Sequence, residues 1–412
     1  MKTQSKKYLI AVCFIFALFS GCKKTEKITE TTTPKTESNG SVATITTSAF
    51  TNITTTSAMS GGVITDKGGS AVTDQGICWS TSPKPTMDNN KSGVASVSGS
   101  GTFTSEIKGL TASTKYYVRA FAVNKAGVAY GNEMELTTAS IAGATFGFSP
   151  MYIVGSTVAA ADIEVLTDGG DAVTERGIVY AASPNPTISS SKVKHNNAGL
   201  GKFRVSLKGL TPKTTYYARA YAINTKGVSY SSEVTFKTIT KGNFTYTFNK
   251  SQNPGAEELA AYGRLQVAID SAVWYFNNYT SVTKHVYLNY VDGVPTADAN
   301  NGGWMRFGTN SSYQNLRTML HEGSHTLGTG TSSWWWSTLV NGKLQAPSVT
   351  AILRLITNDN GAQLNGDSQH YWPYGLNQNS EVTTSWDFAY TCLIIEAMRK
   401  DGLTEFSGPY NP

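Results

Sequence analysis

Residues 116–124 read YYVRAFAVN, and residues 216–224 repeat this pattern as YYARAYAIN. In each stretch the odd and even positions carry different classes of side chain, which is the two-residue period of a β-strand whose faces meet different surroundings. The copies lie about one hundred residues apart, which is the size of one β-sandwich domain. The repeat therefore predicts two consecutive sandwiches.

Two further segments recur on each side of these strands. Residues 71–77 (AVTDQGI) return as residues 172–178 (AVTERGI), and residues 82–86 (SPKPT) return as residues 183–187 (SPNPT). The second pair is rich in the turn residues Pro, Ser and Asn, which separate strands in all-β domains. The whole unit is thus duplicated, and its architecture is expected to be duplicated with it.

The approach to each repeated strand carries a recognisable motif. Residues 210–216 (LTPKTTY) resemble the tyrosine corner of fibronectin type III domains, and residues 110–116 (LTASTKY) match it. The resemblance implies fibronectin type III-like sandwiches over residues 42–138 and 139–239. Because sandwiches host many functions, it implies no chemistry. We expect the two domains to act as spacers, with glycan or protein binding as the alternative.

The composition changes near Thr240, and seven of the eight tryptophans follow that point. Apolar spacing predicts helices and strands in an α+β order over residues 240–412. The fold class expected for the chain is therefore multidomain, with two all-β sandwiches followed by an α+β domain. The predicted elements are a helix over 256–279, strands over 286–291 and 304–307, a helix over 311–327 and a final helix over 382–399.

Residues 321–325 read HEGSH, an H-E-x-x-H motif on the fourth of these elements. Residues four apart lie on one face of a helix, so His321 and His325 can reach one metal ion. The predicted start of the helix is a capping box, with Ser311 as N-cap and Gln314 reaching back to it. The alternative is a solvated helix with two unrelated histidines.

The order of elements and residues 321–328 (HEGSHTLG) resemble the metzincin group of zinc peptidases. The resemblance implies that His321 and His325 bind zinc and that Glu322 is the general base for a water activated by the metal. It also implies that Gly328 lets the chain turn back after the helix. The strand at 304–307 is expected to form the upper rim of the cleft.

The chain departs from the metzincin pattern at two positions, so the resemblance is to a divergent zincin. Thr331 stands where that group has a third ligand, and the only later methionine is Met398. His370 is the only histidine downstream of the motif, so we expect it to be the third ligand of the zinc. Asp367 could orient its ring. Asp367 and Glu381 are the alternative ligands.

Several aromatic residues near the expected site have two interpretations. Tyr371 or Tyr374 could donate a hydrogen bond to the oxyanion that develops during hydrolysis, or either could be structural. Residues 334–336 (WWW) could stack on a ligand or cover a small core. We treat His195 and His285 as ordinary surface or core residues.

The first 22 residues resemble a bacterial lipoprotein leader, in which a lysine-rich start and a short apolar run precede a lipidated cysteine, here Cys22. An ordinary secretory signal is the alternative. Residues 23–41 are rich in Lys, Thr, Glu and Ser, so we expect a flexible linker. Only Cys78 and Cys392 remain in the rest of the chain, and they lie in different predicted domains. A disulfide framework and cysteine metal ligands are therefore not expected.

These features predict a zinc-dependent endopeptidase, anchored by its N-terminal lipid in the cell envelope at the outer membrane or cell surface. The expected partners are a protein or glycoprotein substrate and the membrane, and we expect a monomer. Nucleic acid is not expected as a partner, because no cluster of Lys and Arg interleaved with aromatic residues occurs. The alternatives are a non-catalytic lipoprotein that binds glycan or protein, and a metal-dependent hydrolase of another bond.

Overall fold

The computed structural model describes residues 40–93 and 100–411. The predicted leader, Cys22 and all but the last residues of the predicted linker lie outside this part of the chain. Among the described residues, no helix is both long enough and apolar enough to cross a membrane.

The first repeat is an antiparallel sandwich of two sheets. One sheet has the order β1-β2-β5, and the other has the order β4-β3-β6-β7 with β8 also paired to β6. Their inner faces enclose a core that includes Trp79, Phe103 and Ile107. The strands are β1 (Thr44–Thr47), β2 (Ser57–Asp66), β3 (Asp74–Ser80), β4 (Asn90–Gly93), β5 (Gly101–Lys108), β6 (Lys115–Asn124), β7 (Gly127–Tyr130) and β8 (Met134–Thr137).

The second repeat has the same arrangement, which confirms the duplication. One sheet has the order β10-β11-β14 with β9 paired to β11, and the other has the order β13-β12-β15-β16 with β17 paired to β15. The strands are β9 (Thr145–Phe148), β10 (Ile153–Val154), β11 (Val158–Thr167), β12 (Glu175–Ala181), β13 (Ser191–Lys194), β14 (Gly201–Lys208), β15 (Thr215–Asn224), β16 (Gly227–Tyr230) and β17 (Val234–Lys237).

The tyrosine corner is formed in both sandwiches. The hydroxyl of Tyr116 accepts from the backbone N–H of Thr111 at 3.0 Å, and that of Tyr216 accepts from Thr211 at 3.0 Å. A tyrosine that bonds back to the backbone a few residues upstream fixes the corner that leads into its strand. The fibronectin type III-like prediction for this sheet-rich part of the chain agrees with these contacts.

The last part of the chain is mixed helix and sheet. Its main sheet has the order β18-β19-β21-β20, in which only the edge strand β20 is antiparallel to its neighbour. A small second sheet has the order β22-β23-β24-β25. The elements are β18 (Asn243–Asn249), α1 (Ala256–Tyr279), β19 (Thr283–Tyr290), β20 (Ala297–Ala299), β21 (Trp304–Phe307), a 3-10 turn (Ser311–Tyr313), α2 (Leu316–Thr326), α3 (Ser333–Thr338), β22 (Leu339–Val340), β23 (Lys343–Leu344), α4 (Pro347–Thr357), β24 (Asn365–Gly366), β25 (Tyr371–Trp372), a 3-10 turn (Asn379–Glu381) and α5 (Trp386–Lys400).

The motif helix starts later than the predicted capping box. Asn310 caps a separate 3-10 turn, and Asn315 caps α2 by accepting from the backbone N–H of Thr318 at 3.1 Å. Gln314 does not reach back to the turn, because its side chain donates to the carbonyl of Gly308 at 2.7 Å. Asparagine is as good an N-cap as serine, and here it stands at the residue where the helix begins.

The final helix also starts later than predicted, at Trp386. The carboxylate of Asp387 accepts from the backbone N–H groups of Thr383 and Thr384, each at 2.7 Å. These two hydrogen bonds hold Thr383 and Thr384 in the turn that precedes the helix, because their N–H groups are satisfied by the Asp387 side chain.

The prediction that the strand at residues 304–307 forms the rim of the cleft is wrong. Trp304–Phe307 is internal, between β19 and β20, whereas β20 (Ala297–Ala299) is the edge strand. The chain leaves β19, runs out to the sheet edge as β20 and returns as β21. The short β20, with no strong sequence pattern, therefore takes the position beside α2.

The second sandwich packs directly against the last part of the chain. Ile153, Val158 and Ala160 belong to the same buried cluster as Phe276 of α1 and Ala389 of α5. This shared core means that the second sandwich is more than a spacer, because part of its apolar surface is buried by the helices that follow it.

Candidate metal centre

Helix α2 is buried on the side that faces α1, which sets the position of the motif. Met319 and Leu320 have no exposed surface and lie in the main core cluster. Gly323 lies against Phe276, since a Cβ at that position would be 2.7 Å from the Phe276 ring. Beyond the helix, Gly328 has φ of 109°, a left-handed conformation that glycine adopts without strain, as predicted for the turn.

The two motif histidines are oriented by backbone carbonyl groups. Nδ1 of His321 lies 2.7 Å from the carbonyl oxygen of Gly375, and Nδ1 of His325 lies 2.8 Å from that of Thr329. A carbonyl oxygen only accepts, so each Nδ1 carries the proton of a neutral ring. Both Nε2 atoms then present lone pairs, and they face each other at 3.3 Å.

Two lone pairs at this distance repel each other unless a cation lies between them. A proton is a poor candidate for that cation, because burial, followed by the neighbouring His325, lowers the pKa of His321 to about 3. Burial also lowers the pKa of His325. Neutral imidazoles held in this way, each with its second nitrogen hydrogen-bonded, are the form in which histidine binds zinc. The donor set therefore fits a metal ion.

His370 closes the group from a loop of the small sheet. Its ring centroid lies 5.4 Å from that of His321 and 5.6 Å from that of His325. One nitrogen from each of the three rings can be chosen such that all lie within 4.8 Å of one another. Tetrahedral zinc ligands bound at about 2.0–2.1 Å lie about 3.4 Å apart. The Nε2 atoms of His321 and His325 meet this spacing at 3.3 Å, and His370 would have to move closer to them to bind the same ion.

The loop that carries His370 is held by the side chain of Asp367 and by two tryptophans. Asp367 accepts from the backbone N–H of His370 at 2.7 Å, and its carboxylate lies 3.5 Å from Nδ1 of His370. The indole of Trp335 donates to the carbonyl of Asp367 at 3.1 Å, and that of Trp336 donates to Ser368 at 3.0 Å. Two tryptophans of the 334–336 run thus position the loop, and Trp335 is fully buried in a core.

Glu322 lies in the same cleft and is only 5% exposed. Burial, and then the nearby Asp298, raise the pKa of its carboxyl to about 8, while Arg317 opposes the shift. A carboxylate in such a place is a stronger base than one in water, because desolvation disfavours its charged form. A cation held by the three histidines would favour that charged form.

The three histidines and Glu322 line one cleft with a volume of about 260 Å³. The edge strand forms one wall, and the loops after α2 and before β25 form the other. The lining residues that were not predicted as site residues are Thr296, Ala297, Asp298, Ala299, Tyr313, Arg317, Thr318, Gly330, Thr331, Gln369 and Asn377. Only Arg317 had a usable signal, because it precedes His321 by four residues on the same helix face.

The other residues predicted for the site do not line this cleft. Tyr371 is 1% exposed and packs in a separate core near Trp335, so its hydroxyl cannot reach a substrate in the cleft. Tyr374 packs its ring on Tyr390 at 5.3 Å. The oxyanion role predicted for both tyrosines therefore lacks geometric support. Glu381 accepts from the backbone N–H of Gln378 at 3.0 Å as part of a helical cap.

Comparison with known proteins adds little about the chemistry. No family model matches the chain, and no curated protein matches it. Among solved structures, the chain is similar to the crystal structure of the FN1-FN3 domains of chicken CNTN1, with 14% identity, 48% of this chain and 69% of that chain covered, and a TM-score of 0.21.

Proposed function

We propose that the protein is a zinc-dependent endopeptidase of the cell envelope, anchored through lipid on Cys22. The observation that carries this proposal is the pair of Nε2 lone pairs that face each other at 3.3 Å beside Glu322. Two neutral imidazoles, of which His325 is buried and His321 half-buried, would not be held in this arrangement for packing alone, because it is electrostatically unfavourable without a cation.

The residues take separate roles in this proposal. His321, His325 and His370 would hold the zinc, which when bound supplies Lewis acidity and lowers the pKa of a water. Glu322 takes a proton from the attacking water and passes it to the leaving amine. Its buried position makes it a stronger base, and the cleft walls shield it from bulk solvent.

The edge strand supplies a way to hold an extended peptide. Ala297–Ala299 pairs with β21 on one side, and its other side borders the cleft. An unpaired strand edge offers backbone N–H and C=O groups, to which a peptide can add as a further strand. The small side chains of Ala297 and Ala299 leave room for it. This arrangement favours cleavage within a chain.

A second candidate function is glycan binding without catalysis. Tyr287 and Trp304 are exposed and stack at 4.8 Å between ring centroids on the outer face of the main sheet. The next pair along the same two strands is Asn289 and Arg306, which offers polar groups beside the aromatic rings. Aromatic faces flanked by hydrogen-bonding groups suit sugars. A metal-dependent hydrolase of another bond is the third possibility.

The deciding experiment uses the protein produced without residues 1–22 and its Glu322→Gln variant. We expect about one zinc per chain in both, because Glu322 is not a ligand. We expect the variant to cleave casein and a mixed peptide library about 10²- to 10⁴-fold more slowly than the parent, which is the usual contribution of a general base.

Each outcome has a clear consequence. A chain that takes up no metal from a zinc-containing buffer would show that the metal proposal is wrong. A variant as active as the parent would remove Glu322 from the mechanism. Zinc binding with no cleavage of protein or peptide by the parent would favour the glycan-binding candidate.

A further inference from the structure

We propose that Arg317 forms a carboxylate-binding subsite in the cleft, so that the preferred substrate carries an acidic side chain or a free C-terminal carboxylate next to the scissile bond. This inference rests on the proposed peptidase function and specifies its substrate class. An acidic side chain keeps cleavage within the chain, whereas a free C-terminal carboxylate would make the enzyme a carboxypeptidase.

Arg317 is a buried cation that forms no ion pair with any carboxylate in the described part of the chain. It lines the cleft and is 9% exposed. Nη1 donates to the carbonyls of Leu376 and Asn377 at 2.5 and 3.1 Å, and Nη2 donates to the hydroxyl of Thr318 at 2.9 Å. All three acceptors are neutral. Nε is buried and donates to no group in the described part of the chain.

Two other arginines show how this side of a guanidinium holds a carboxylate. Arg204 donates to Asp162 through Nε at 2.6 Å and through Nη2 at 2.8 Å. Arg306 donates to Asp298 through Nε at 2.8 Å and through Nη2 at 2.6 Å. In both, Nε and Nη2 form a fork that matches the two oxygens of a carboxylate. In Arg317 the same fork has an unpaired Nε.

The position of Arg317 fits a group close to the reacting bond. It precedes His321 by four residues on α2, which corresponds to about 6 Å along the helix axis. One residue of an extended peptide spans about 3.3–3.6 Å. A carboxylate held by Arg317 would therefore belong to a residue within about two positions of the bond that lies at the histidines.

The energetics favour a ligand that brings a negative charge. Burial lowers the pKa of Arg317, which shows that its charged form is poorly solvated. The nearby carboxylates of Glu381 and Glu322 act on Arg317 only from a distance, since neither forms an ion pair with it within 4.0 Å. Asp298, across the cleft, is paired with Arg306. A carboxylate bound in the cleft would neutralise the guanidinium in a desolvated place, where a charge-assisted hydrogen bond is strongest.

The test measures discrimination between matched peptides, because Arg317 also supports the loop at 376–377. The probes are acetyl-Ala-Glu-Ala-amide, acetyl-Ala-Gln-Ala-amide and acetyl-Ala-Gln-Ala with a free C-terminus. Binding is measured by calorimetry to zinc-loaded protein without residues 1–22, in the Glu322→Gln background so that no probe is turned over. The same measurements are made on a second protein that also carries Arg317→Gln. A control protein carries Arg264→Gln instead, a residue of α1 outside the cleft.

We expect at least one of the two acids to bind about ten- to one-hundred-fold more tightly than the neutral peptide, as a charge-assisted contact allows. Tighter binding of the free-terminus peptide would identify a C-terminal carboxylate as the bound group. Tighter binding of the glutamate peptide would identify an acidic side chain. Arg317→Gln should bring the ratio of the affinities for acidic and neutral peptides close to one, and Arg264→Gln should leave that ratio unchanged. A loop that is merely loosened would weaken all three probes equally.

Two outcomes would overturn the inference: equal binding of acidic and neutral probes, or a preference that survives Arg317→Gln. Neither depends on catalysis. If the acids are preferred but the Glu322 protein hydrolyses no peptide, the subsite stands and the peptidase proposal fails.

Discussion

The orientation of His321 and His325 depends on two backbone carbonyls that lie in different loops. Gly375 belongs to the segment after β25, and Thr329 belongs to the turn after α2. The same turn approaches the His370 loop closely, since a Cβ at Gly330 would lie 2.0 Å from the carbonyl oxygen of Gln369. Backbone contacts therefore place these rings, and we expect the removal of one ring to leave the other two in place.

His370→Ala should weaken zinc binding more than about one-hundred-fold, because even the loss of a group that only orients a ligand costs about ten- to one-hundred-fold. The measurement is competition with a chromophoric zinc chelator. His195→Ala and His285→Ala are matched controls, since these rings lie in the second sandwich and on the outer sheet face. If Asp367→Ala or Glu381→Ala loses the metal and His370→Ala does not, the third ligand is that carboxylate.

At the level of elements, the contact between α1 and α2 decides whether the motif helix is held in place. Phe276 stacks on Phe244 at 4.6 Å between centroids, and Gly323 lies over the ring of Phe276. A close approach of this kind requires a residue without a side chain. The glycine inside the H-E-G-S-H motif is thus explained by packing against α1.

Gly323→Ala should destabilise the protein by about 1–3 kcal/mol, the usual cost of overpacking a core, because its Cβ would lie 2.7 Å from Phe276. Gly263→Ala is the matched control on α1, where a Cβ would have no neighbour within 4 Å. That variant should gain up to about 1 kcal/mol from helix propensity. Urea unfolding of both measures the difference, and equal midpoints would contradict the packing account.

Considered as a whole, the molecule joins its second sandwich to the C-terminal region through a polar contact as well as a shared core. Arg204 on β14 donates to the Tyr390 hydroxyl on α5 at 2.5 Å and packs over Trp386 at 5.0 Å. The backbone N–H of Ser156 donates to the carbonyl of Asn278 at 2.6 Å at the end of α1. We infer that these two parts fold as one unit.

A fragment that starts at Thr240 should be less stable than one that starts at residue 140. The shorter fragment loses Ile153, Val158 and Ala160 from its core, and each large aliphatic side chain contributes about 1.5–3 kcal/mol. Thermal unfolding should show a midpoint lower by roughly 10 °C or more. Equal midpoints for the two fragments would mean that the sandwich is only a neighbour and that its core contacts add nothing.

The same contact should weaken in acid. Burial alone would raise the pKa of Asp162, but the hydrogen bonds from Arg204 and Tyr152 outweigh it and lower the pKa below 3.8. A lowered carboxyl pKa stabilises the folded state above the unfolded value, and this contribution is lost as the pH falls through the folded value. The fragment from residue 140 should therefore lose stability below about pH 4. Asp162→Asn should lack this component, and a parallel decline in both would contradict it.

Local sequence patterns were sufficient to predict the structure of the parts of the chain that repeat or that have regular apolar spacing. The duplicated strands, the two tyrosine corners and the bounds of α1 all follow from alternation or from helical spacing, which short segments display on their own. The histidine pair is likewise local, because residues four apart share a helix face whatever surrounds the helix. Element starts were less predictable. Asn315, and not Ser311, caps the motif helix, and hydrogen bonds to Asp387 hold residues 383 and 384 outside the final helix, which was expected to begin at Val382.

The amino-acid pattern was thus enough to indicate the two sandwiches, the helix that carries His321 and His325, and His370 as a candidate partner. Only the folded chain decided that β20 and not β21 borders the cleft, that Tyr371 lies in a core, and that Arg317 forms no ion pair among the described residues. The reason is that these properties depend on contacts between residues far apart in sequence. Strand order, burial and counter-ions are set when distant segments meet, and no local spacing records them.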